Sequence, residues 1–282
     1  MKVVLLLFLG LFIIACSSKN VASDNSFTKR VALVIGNESY PYQALDNPIN
    51  DAKGIVEVLL RLEFKRENII FATDVNATQF YSLLEEFQKK IDHETIAFIY
   101  FSGHANTLHS NSTNSFLLMV DPKEEASVSI HKIYEVLEKS GAKHNIICID
   151  ACRDYKEKSK DDTIVNRGGR IIHVEEEKAL PRKIYDNNHS NPPISTIVSF
   201  AASINQIARD KGTIDKNHSP YARYLIRHLD DPKIPVSEVF NRVRVDLRKE
   251  LNGTQRNMET GALEGNPWLN PKRGDMPVTA AF

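Results

Sequence analysis

Residues 145–153 read NIICIDACR, and this stretch decides the fold that the sequence predicts. The residues up to Asp150 are mostly apolar and rich in isoleucine, a pattern that is typical of a strand buried on both faces of a parallel sheet. The strand pattern ends there, and Ala151, Cys152 and Arg153 follow. Because ligands bind beyond the carboxyl ends of the strands in such sheets, a cysteine at this position is a candidate nucleophile.

The same kind of apolar run recurs along the chain. The other runs are VALVIG from Val31, NIIFAT from Asn68, IAFIYFSG from Ile96 and STIVSFAAS from Ser195. Amphipathic helical patterns alternate with these runs, over residues 50–62, 78–91, 129–141, 219–229 and 236–251. This alternation predicts an α/β fold, with a doubly wound, mostly parallel sheet and helices on both faces.

Composition narrows the classes of function. The chain has 282 residues, of which 42% are apolar, and its 36 basic residues balance 36 acidic ones. This length and apolar content predict a globular body with a full hydrophobic core. No basic excess is present, so the composition argues against nucleic acid as a partner.

The amino-terminal segment has the pattern of an export signal. Met1 and Lys2 precede VVLLLFLGLFII, an apolar run too short to span a bilayer as a stable helix, and the following IIAC resembles a bacterial lipobox. We therefore predict that residues 1–15 are a signal peptide, that Cys16 is lipidated, and that residues 16–29 tether the body to a membrane. An uncleaved membrane anchor is the alternative interpretation.

Two further features of this segment bear on location. Ser17 stands directly after the lipidated cysteine, where an aspartate often marks retention in the inner membrane. We therefore expect an exported bacterial lipoprotein on the periplasmic side of the outer membrane. A tether of this length reaches at most about 45 Å, so the body would work close to the membrane surface.

Two cysteines remain in the body of the chain. If Cys148 and Cys152 lie on or just beyond one strand, their Cα atoms are about 13 Å apart, which is too far for a disulfide. Cys148 lies inside the apolar run and is predicted to be a small buried core residue. Cys152 follows the run, where core packing does not explain its presence.

His104 has the chemistry that a thiol nucleophile needs. It directly follows IAFIYFSG, so it would meet Cys152 at one sheet edge if their two strands are neighbours. A cysteine with the ordinary pKa of about 8.5 is mostly protonated at neutral pH, and an adjacent imidazole can accept its proton. Small residues at Gly103, Ala105 and Ala151 let backbone amides approach a substrate carbonyl, and the Cys152 N–H is a natural donor to a developing oxyanion.

Seven short segments carry a family resemblance. They are RVALVIGNESY, NPINDAK, YFSGH, IDACR, SFAAS, HSPYARYL and NPWL, and they extend from residue 30 to about residue 270. In this order they resemble the caspase-like cysteine peptidases, and most closely the bacterial relatives of metacaspases. His104 lies 48 residues before Cys152, close to the caspase spacing of about 50. The resemblance implies a caspase-like fold and a His104/Cys152 dyad that hydrolyses peptide bonds. It also implies that the backbone amides near Gly103, Ala105 and Cys152 form the oxyanion hole.

The resemblance also implies a division of the chain and a class of substrate. Residues 30–153 are similar to the large subunit of caspases, and residues 194–282 to the small subunit. Caspases that cut after aspartate use a glutamine and an arginine at the positions occupied here by Asp150 and Ala201. Metacaspase-like relatives place two carboxylates in this pocket, and Asp51 and Asp150 match them. Because carboxylates attract a cation, we predict cleavage after Arg or Lys.

Two expectations concern the rest of the substrate site. Asp51 also has a simpler interpretation, since either Asn50 or Asp51 could be the N-cap of the helix that begins there. The strand from Ser195 is predicted to pair its backbone with an extended peptide substrate, with Ser199 and Ala201 as the contacts. This second expectation rests on analogy with the fold.

A long charged segment separates the two halves. Residues 154–193 are rich in charge, Asn, Gly and Pro, and a loop of this length within a compact domain is usually either functional or disordered. A peptidase specific for basic residues could cut itself at NRGGR within this segment. An unprocessed, solvated loop explains the composition equally well, and the sequence leaves both interpretations open.

Other classes of function compete with the peptidase. The main alternative is an inactive caspase-like binding module tethered to a membrane. A nucleotide-binding protein is disfavoured because the sequence contains neither GxGxxG nor GxxxxGK followed by Ser or Thr. A serine hydrolase is disfavoured because GxSxG is absent, and a zinc site because HExxH and paired CxxC are absent. No cofactor is expected, although calcium activation cannot be read from one sequence. Ala105 replaces a glycine common in relatives, and a positive φ there would strain the backbone.

Overall fold

The computed structural model describes most of the chain from Lys29 onward. The described residues are 29–107, 115–121, 126–152, 163–165, 171–173, 191–204, 206–265 and 267–270. The predicted signal peptide 1–15, the predicted lipidation site Cys16 and nearly all of the tether 16–29 lie outside them, as does most of the predicted linker 154–193. Within the described ranges, no helix is both long enough and apolar enough to cross a membrane.

A six-stranded sheet forms the centre of the fold. The described strands are β1 (Lys29–Gly36), β2 (Ile69–Thr73), β3 (Thr95–Ser102), β4 (Ala105–Thr107), β5 (Ser115–Leu118), β6 (Ser127–Ser129), β7 (His144–Asp150), β8 (Thr163–Val165), β9 (Ile171–His173), β10 (Thr196–Phe200) and β11 (Met258–Ala262). The central sheet has the order β11-β10-β7-β3-β1-β2. Its neighbouring strands are parallel, except that β10 and β11 are antiparallel. The predicted doubly wound, mostly parallel sheet is confirmed.

Helices cover both faces of this sheet. They are α1 (Pro48–Arg61), α2 (Ala77–Lys90), α3 (Ile130–Ser140), α4 (Pro220–Leu229) and α5 (Val236–Glu250), and a short 3₁₀ helix spans Arg66–Asn68. The apolar sides of α1, α4 and α5 pack in one core cluster, and those of α2 and α3 pack in the cluster on the opposite face. Every residue of β3 and β7 is buried as a result, which explains their continuous apolar sequence.

Short-range signals determine the ends of α3 and α4. The Ser219 hydroxyl accepts the backbone N–H of Ala222, and Pro220 occupies the first helical position, where its missing N–H costs nothing. Ser129 caps α3 through its side chain, and Gly141 ends that helix in the left-handed conformation with φ +61°. Both helices begin and end where the sequence predicts.

Helix α1 begins two residues earlier than the pattern predicts. Its first residue is Pro48, and Asn47 is the N-cap, without a side-chain capping hydrogen bond. Neither Asn50 nor Asp51 is therefore the N-cap, so that interpretation of Asp51 is wrong. Asp51 lies in the first turn, where its backbone N–H donates to the Asn47 carbonyl at 2.8 Å. Its carboxylate is available to other parts of the fold.

Two small sheets were not predicted. Strands β4, β5 and β6 form an antiparallel sheet that starts directly beyond β3, and β8 pairs with β9 inside the segment 154–193. Strands of three or four residues are too short to show a clear hydrophobic period. The first of these sheets matters for the site, because β4 carries the chain away from His104.

Candidate active site

The register of two central strands brings His104 and Cys152 to the same edge of the sheet. Strands β3 and β7 are parallel neighbours, and Ser102 at the end of one lies opposite Asp150 at the end of the other. His104 and Cys152 each follow two residues later. Adjacent strands are about 4.8 Å apart, so the two residues leave the sheet side by side. Both are nearly enclosed, with exposed fractions of 3% and 4%.

The imidazole of His104 is held by residues that follow β1. Its Nε2 lies 2.9 Å from the Gln43 carbonyl oxygen, and the Tyr40 ring centroid lies 4.6 Å from that of the imidazole. Because a carbonyl can only accept, Nε2 carries a proton, and Nδ1 is then the basic nitrogen of the neutral ring. The Tyr40 hydroxyl also accepts the backbone N–H of His104 at 3.1 Å and donates to the Leu118 carbonyl at 3.0 Å. This arrangement fixes the position of the ring.

The two cysteines lie in different surroundings. Cys148 is fully buried in β7, and burial raises the pKa of its thiol to about 12, which makes it an inert core residue. The Cys152 thiol lies at the end of the sheet and donates to the Ala208 carbonyl oxygen at a sulfur-to-oxygen distance of 3.7 Å. Both thiols are free of disulfides. Cys148 is a core residue, as predicted. Cys152 is buried in the same core cluster, and its role as nucleophile stays a prediction.

The backbone near His104 differs from the predicted oxyanion hole at one position. The N–H of Gly103 donates to the Asp150 carbonyl at 3.2 Å, so this amide extends the sheet and is not available to a substrate. Gly103 is therefore not an oxyanion donor in this structure. Ala105 begins β4 opposite Leu117 in extended backbone, so the alanine that replaces the usual glycine causes no strain. The amides of Ala105 and Cys152 remain predicted donors.

Gly103 has a steric role instead, and it gives a testable prediction. A Cβ atom added at Gly103 would lie 2.4 Å from the Tyr40 hydroxyl oxygen. We expect Gly103→Ala to displace Tyr40 and with it His104, and to lower the free energy of unfolding by about 2 kcal/mol. Thermal or urea unfolding measures this loss.

Tyr40→Phe supplies the control for this substitution, because it removes the atom nearest to the new methyl group and leaves the looser contact with the Phe101 ring, at 3.0 Å, in place. In the Tyr40→Phe background, we expect Gly103→Ala to cost less than half as much. An equal cost in both backgrounds would show that the contact with the Tyr40 hydroxyl is not the reason.

The predicted carboxylates, Asp51 and Asp150, meet at the start of α4. Both side chains are completely buried. The Ser219 backbone N–H donates to Asp51 Oδ1 at 3.0 Å, and the Ser219 hydroxyl donates to Asp150 Oδ2. Tyr100 and Ser102 add hydroxyl donors, at 3.2 Å to Asp150 and 3.4 Å to Asp51. One serine at a helix N-terminus thus joins two acidic residues that lie 99 positions apart in the sequence.

The charge of this pair depends on its surroundings. Burial is the main reason why the pKa of Asp51 is raised to about 7; the neighbouring charge of Asp150 raises it further, and a hydrogen bond from His218 opposes the shift. The His218 Nδ1 lies 3.1 Å from Asp51 Oδ1, and this hydrogen bond raises the pKa of His218. Sequence reasoning did not identify His218, although it opens the HSPYARYL segment that carries part of the family resemblance.

Ser199 and Ala201 are not placed as predicted. Strand β10 pairs with β7 along one edge and with β11 along the other, so it has no free edge for a peptide. The Ser199 side chain is fully buried and accepts the Tyr221 hydroxyl at 2.9 Å. The Ala201 N–H donates to Ile149, and its carbonyl accepts from the Gln255 side chain. Strand addition at these two residues is therefore excluded, because their backbone groups already pair within the protein.

In the part of the chain that the structure describes, no cluster of three or more His, Cys, Asp or Glu side chains has the geometry to hold a metal ion.

The chain is similar to known proteins at the level of a family and of a fold. The family model of the caspase domain matches residues 29–270. Among curated proteins, none matches the chain. The crystal structure of caspase-1 from Spodoptera frugiperda is similar with a TM-score of 0.59 and 11% sequence identity, over 88% of this chain and 92% of that chain. At this identity the likeness shows the fold alone, and it confirms the predicted caspase-like architecture.

Proposed function

This chain belongs to the caspase-domain family of peptidases, and from that premise we propose that it is a cysteine endopeptidase with Cys152 as the nucleophile and His104 as the base. The strand register is the observation that supports the proposal most strongly, because it places the two residues at adjacent strand ends. The hydrogen bond from Nε2 to the Gln43 carbonyl also makes Nδ1 the basic nitrogen of the neutral imidazole.

The proposed reaction has two stages. In the first, His104 takes the proton of the Cys152 thiol, and the thiolate attacks the carbonyl carbon of the scissile peptide bond. The backbone amides of Ala105 and Cys152 would stabilise the negative oxygen, and the imidazolium returns its proton to the leaving amine as the C–N bond breaks. In the second stage, His104 takes a proton from water while the water oxygen attacks the thioester carbonyl. The C–S bond then breaks, the imidazolium returns its proton to the Cys152 sulfur, and the peptide leaves as a carboxylic acid.

We also propose that the peptide is cut after Arg or Lys. Asp51 and Asp150 lie within hydrogen-bonding distance of the same serine, and Asp150 directly precedes Ala151 and Cys152 in the chain. Two buried carboxylates in one place repel an anionic side chain and attract a cation in a low dielectric. A bound arginine or lysine would have to displace the present hydrogen-bond donors of these two carboxylates, and its guanidinium or ammonium group would then donate in their place.

The pKa of Asp51 predicts how substrate binding depends on pH. A carboxyl group with a pKa of about 7 loses its charge as the pH falls through that value. The ionised fraction of Asp51 falls about tenfold when the pH is lowered from about 8 to about 6, so KM for a peptide that ends in arginine should rise roughly tenfold. A peptide that ends in citrulline, which is uncharged, serves as the matched control and should keep its KM. Equal pH dependence for both peptides would contradict this role of Asp51.

The proposal includes a location. A lipid on Cys16 would hold the enzyme at the periplasmic face of the outer membrane, with residues 16–29 as the tether. Its protein substrates would then be those that reach this surface. The same specificity would allow the enzyme to cut itself within residues 154–193, since NRGGR offers arginine at the cutting position.

Hydrolysis of fluorogenic peptides ending in Arg, Lys or Asp tests the function directly. The protein used is the chain from Asp24 onward, which keeps all described residues, with and without added calcium. We expect turnover of the Arg and Lys peptides at rates at least about 100-fold above that of the Asp peptide. Mass spectrometry of the same sample shows whether the chain stays intact. Absence of turnover under every condition, with an intact fold, would favour the inactive binding module.

A further inference from the structure

Residues 206–211, here called the cover segment, lie over the thiol of Cys152. Ala208 in this segment is completely buried, and its carbonyl oxygen lies 3.7 Å from Cys152 Sγ. Ile207 and Arg209 on either side are exposed, so the segment dips toward the sulfur at this single residue. The small exposed fraction of Cys152, 4%, means that a peptide substrate cannot reach its sulfur while this arrangement persists.

A buried glutamine fixes the orientation of the peptide group at this point. The N–H of Arg209 belongs to the same peptide unit as the Ala208 carbonyl, and it donates to Gln255 Oε1 at 2.9 Å. Gln255 is fully buried, and its own amide donates to the Ala201 carbonyl at 3.0 Å. Because a peptide group is planar, holding its N–H toward Gln255 holds its carbonyl oxygen on the opposite side, toward the thiol.

The cover segment is also fastened to the residues that hold His104. The Asp210 carboxylate accepts the backbone N–H of Asp46 at 2.8 Å, and the Asp210 carbonyl accepts from the Asn47 side chain at 2.6 Å. Lys211 forms an ion pair with the Asp46 carboxylate at 2.8 Å. Gln43, whose carbonyl contacts the imidazole, lies three residues before Asp46. We call these contacts of Asp210 and Lys211 with Asp46 and Asn47 the clasp; they join the cover segment to the His104 side of the site.

A carbonyl oxygen beside a thiol has a definite chemical effect. It accepts a hydrogen bond from the neutral S–H group but repels a negatively charged sulfur, and the thiolate is the form that attacks a peptide bond. It also fills space beside the sulfur that a substrate carbonyl needs to approach. We propose that the cover segment is an autoinhibitory element, which holds the Cys152 thiol in a hydrogen bond and shields it from substrate until the clasp opens. Its regulatory meaning rests on the proposed peptidase function, but the shielding itself does not.

The rate at which iodoacetamide alkylates Cys152 tests this proposal. Asp210→Ala and Lys211→Ala each remove part of the clasp, and mass spectrometry of tryptic peptides separates labelling of Cys152 from that of the buried Cys148. At pH 7 we expect Asp210→Ala, which removes a hydrogen bond to the backbone, to be alkylated about tenfold faster than the wild type. Lys211→Ala removes an exposed ion pair and should be alkylated about twofold to threefold faster, and neither variant should change the midpoint of thermal unfolding much. Lys216→Ala, an exposed lysine five residues further on, is the matched control and should be alkylated at the wild-type rate.

The outcomes separate this proposal from the peptidase function. Faster alkylation of the two clasp variants supports the cover even if no variant hydrolyses a peptide, because alkylation needs no catalysis. Equal alkylation rates in the wild type, Asp210→Ala and Lys211→Ala would overturn it, whether or not the protein is a peptidase. If the protein is an active peptidase, the clasp variants should also have a higher kcat/KM than the wild type. An unchanged kcat/KM together with faster alkylation would overturn autoinhibition, because the shielding would then not slow the enzyme.

Discussion

Replacing Cys152 by alanine is expected to lower kcat for a peptide ending in arginine at least about 10³-fold, to the background rate. The sulfur is the atom that the proposed mechanism bonds to the substrate, and a methyl group cannot replace it. The substitution removes one sulfur atom at a strand end, so the fold should persist. The measurement is steady-state hydrolysis of the fluorogenic arginine peptide, with circular dichroism to verify the fold.

Cys148→Ala is the matched control for this loss. It removes the same atom four residues earlier, inside β7, at a site where burial raises the thiol pKa to about 12. We expect it to reduce stability by about 1 kcal/mol while kcat changes less than about twofold. Activity that survives in Cys152→Ala, or that is lost equally in both variants, would remove Cys152 from the mechanism.

The second large effect is expected at Asp150. Asparagine has nearly the same shape as aspartate and can still accept the Ser219 hydroxyl, but it carries no charge. Loss of one buried partner of an ion pair typically costs about 2 to 5 kcal/mol, so we expect Asp150→Asn to lower kcat/KM for the arginine peptide roughly 100-fold. The citrulline peptide, which has no cation, should lose much less. The quantity to measure is therefore the ratio of kcat/KM for the two peptides.

A remote carboxylate provides the comparison for Asp150. Asp92 is an exposed partner of Lys29 near the start of the central sheet, and Asp92→Asn should leave the ratio of the two peptides unchanged. If Asp150→Asn lowers the rates for arginine and citrulline peptides equally, Asp150 is a structural support of α4 and the basic specificity must have another origin.

Local sequence was sufficient for the main elements of the fold. The apolar runs placed β1, β2, β3 and β7 to within two residues and β10 to within three, because a strand covered on both faces requires a continuous apolar sequence. Ser129 and Ser219 were sufficient to place the starts of α3 and α4, since a cap acts within one turn. The short strands β4, β5 and β6 were missed, because their pairing rather than their composition stabilises them.

The errors at the site have a common cause. The sequence could not show that the Gly103 amide pairs with Asp150, that β10 is paired on both edges, or that α1 begins before Asp51. Each of these facts concerns the partner of a polar group. Partners of buried polar groups are chosen by the packing of whole elements, and a motif does not identify them.

The sequence by itself determined the alternation of the five main strands with the helices, the caspase-like class of the fold, and which thiol and which imidazole stand at strand ends. These features depend on residues that are close together in the sequence, so hydrophobic periodicity and short motifs are enough to predict them. The sequence did not predict the short strands or β11. Only the tertiary structure decided what surrounds those groups: Ala208 lies 56 residues from Cys152, Gln43 lies 61 residues from His104, and Ser219 lies 168 residues from Asp51. Burial and hydrogen bonding by such distant residues set the charge and the accessibility of each group, and these depend on the complete packed fold.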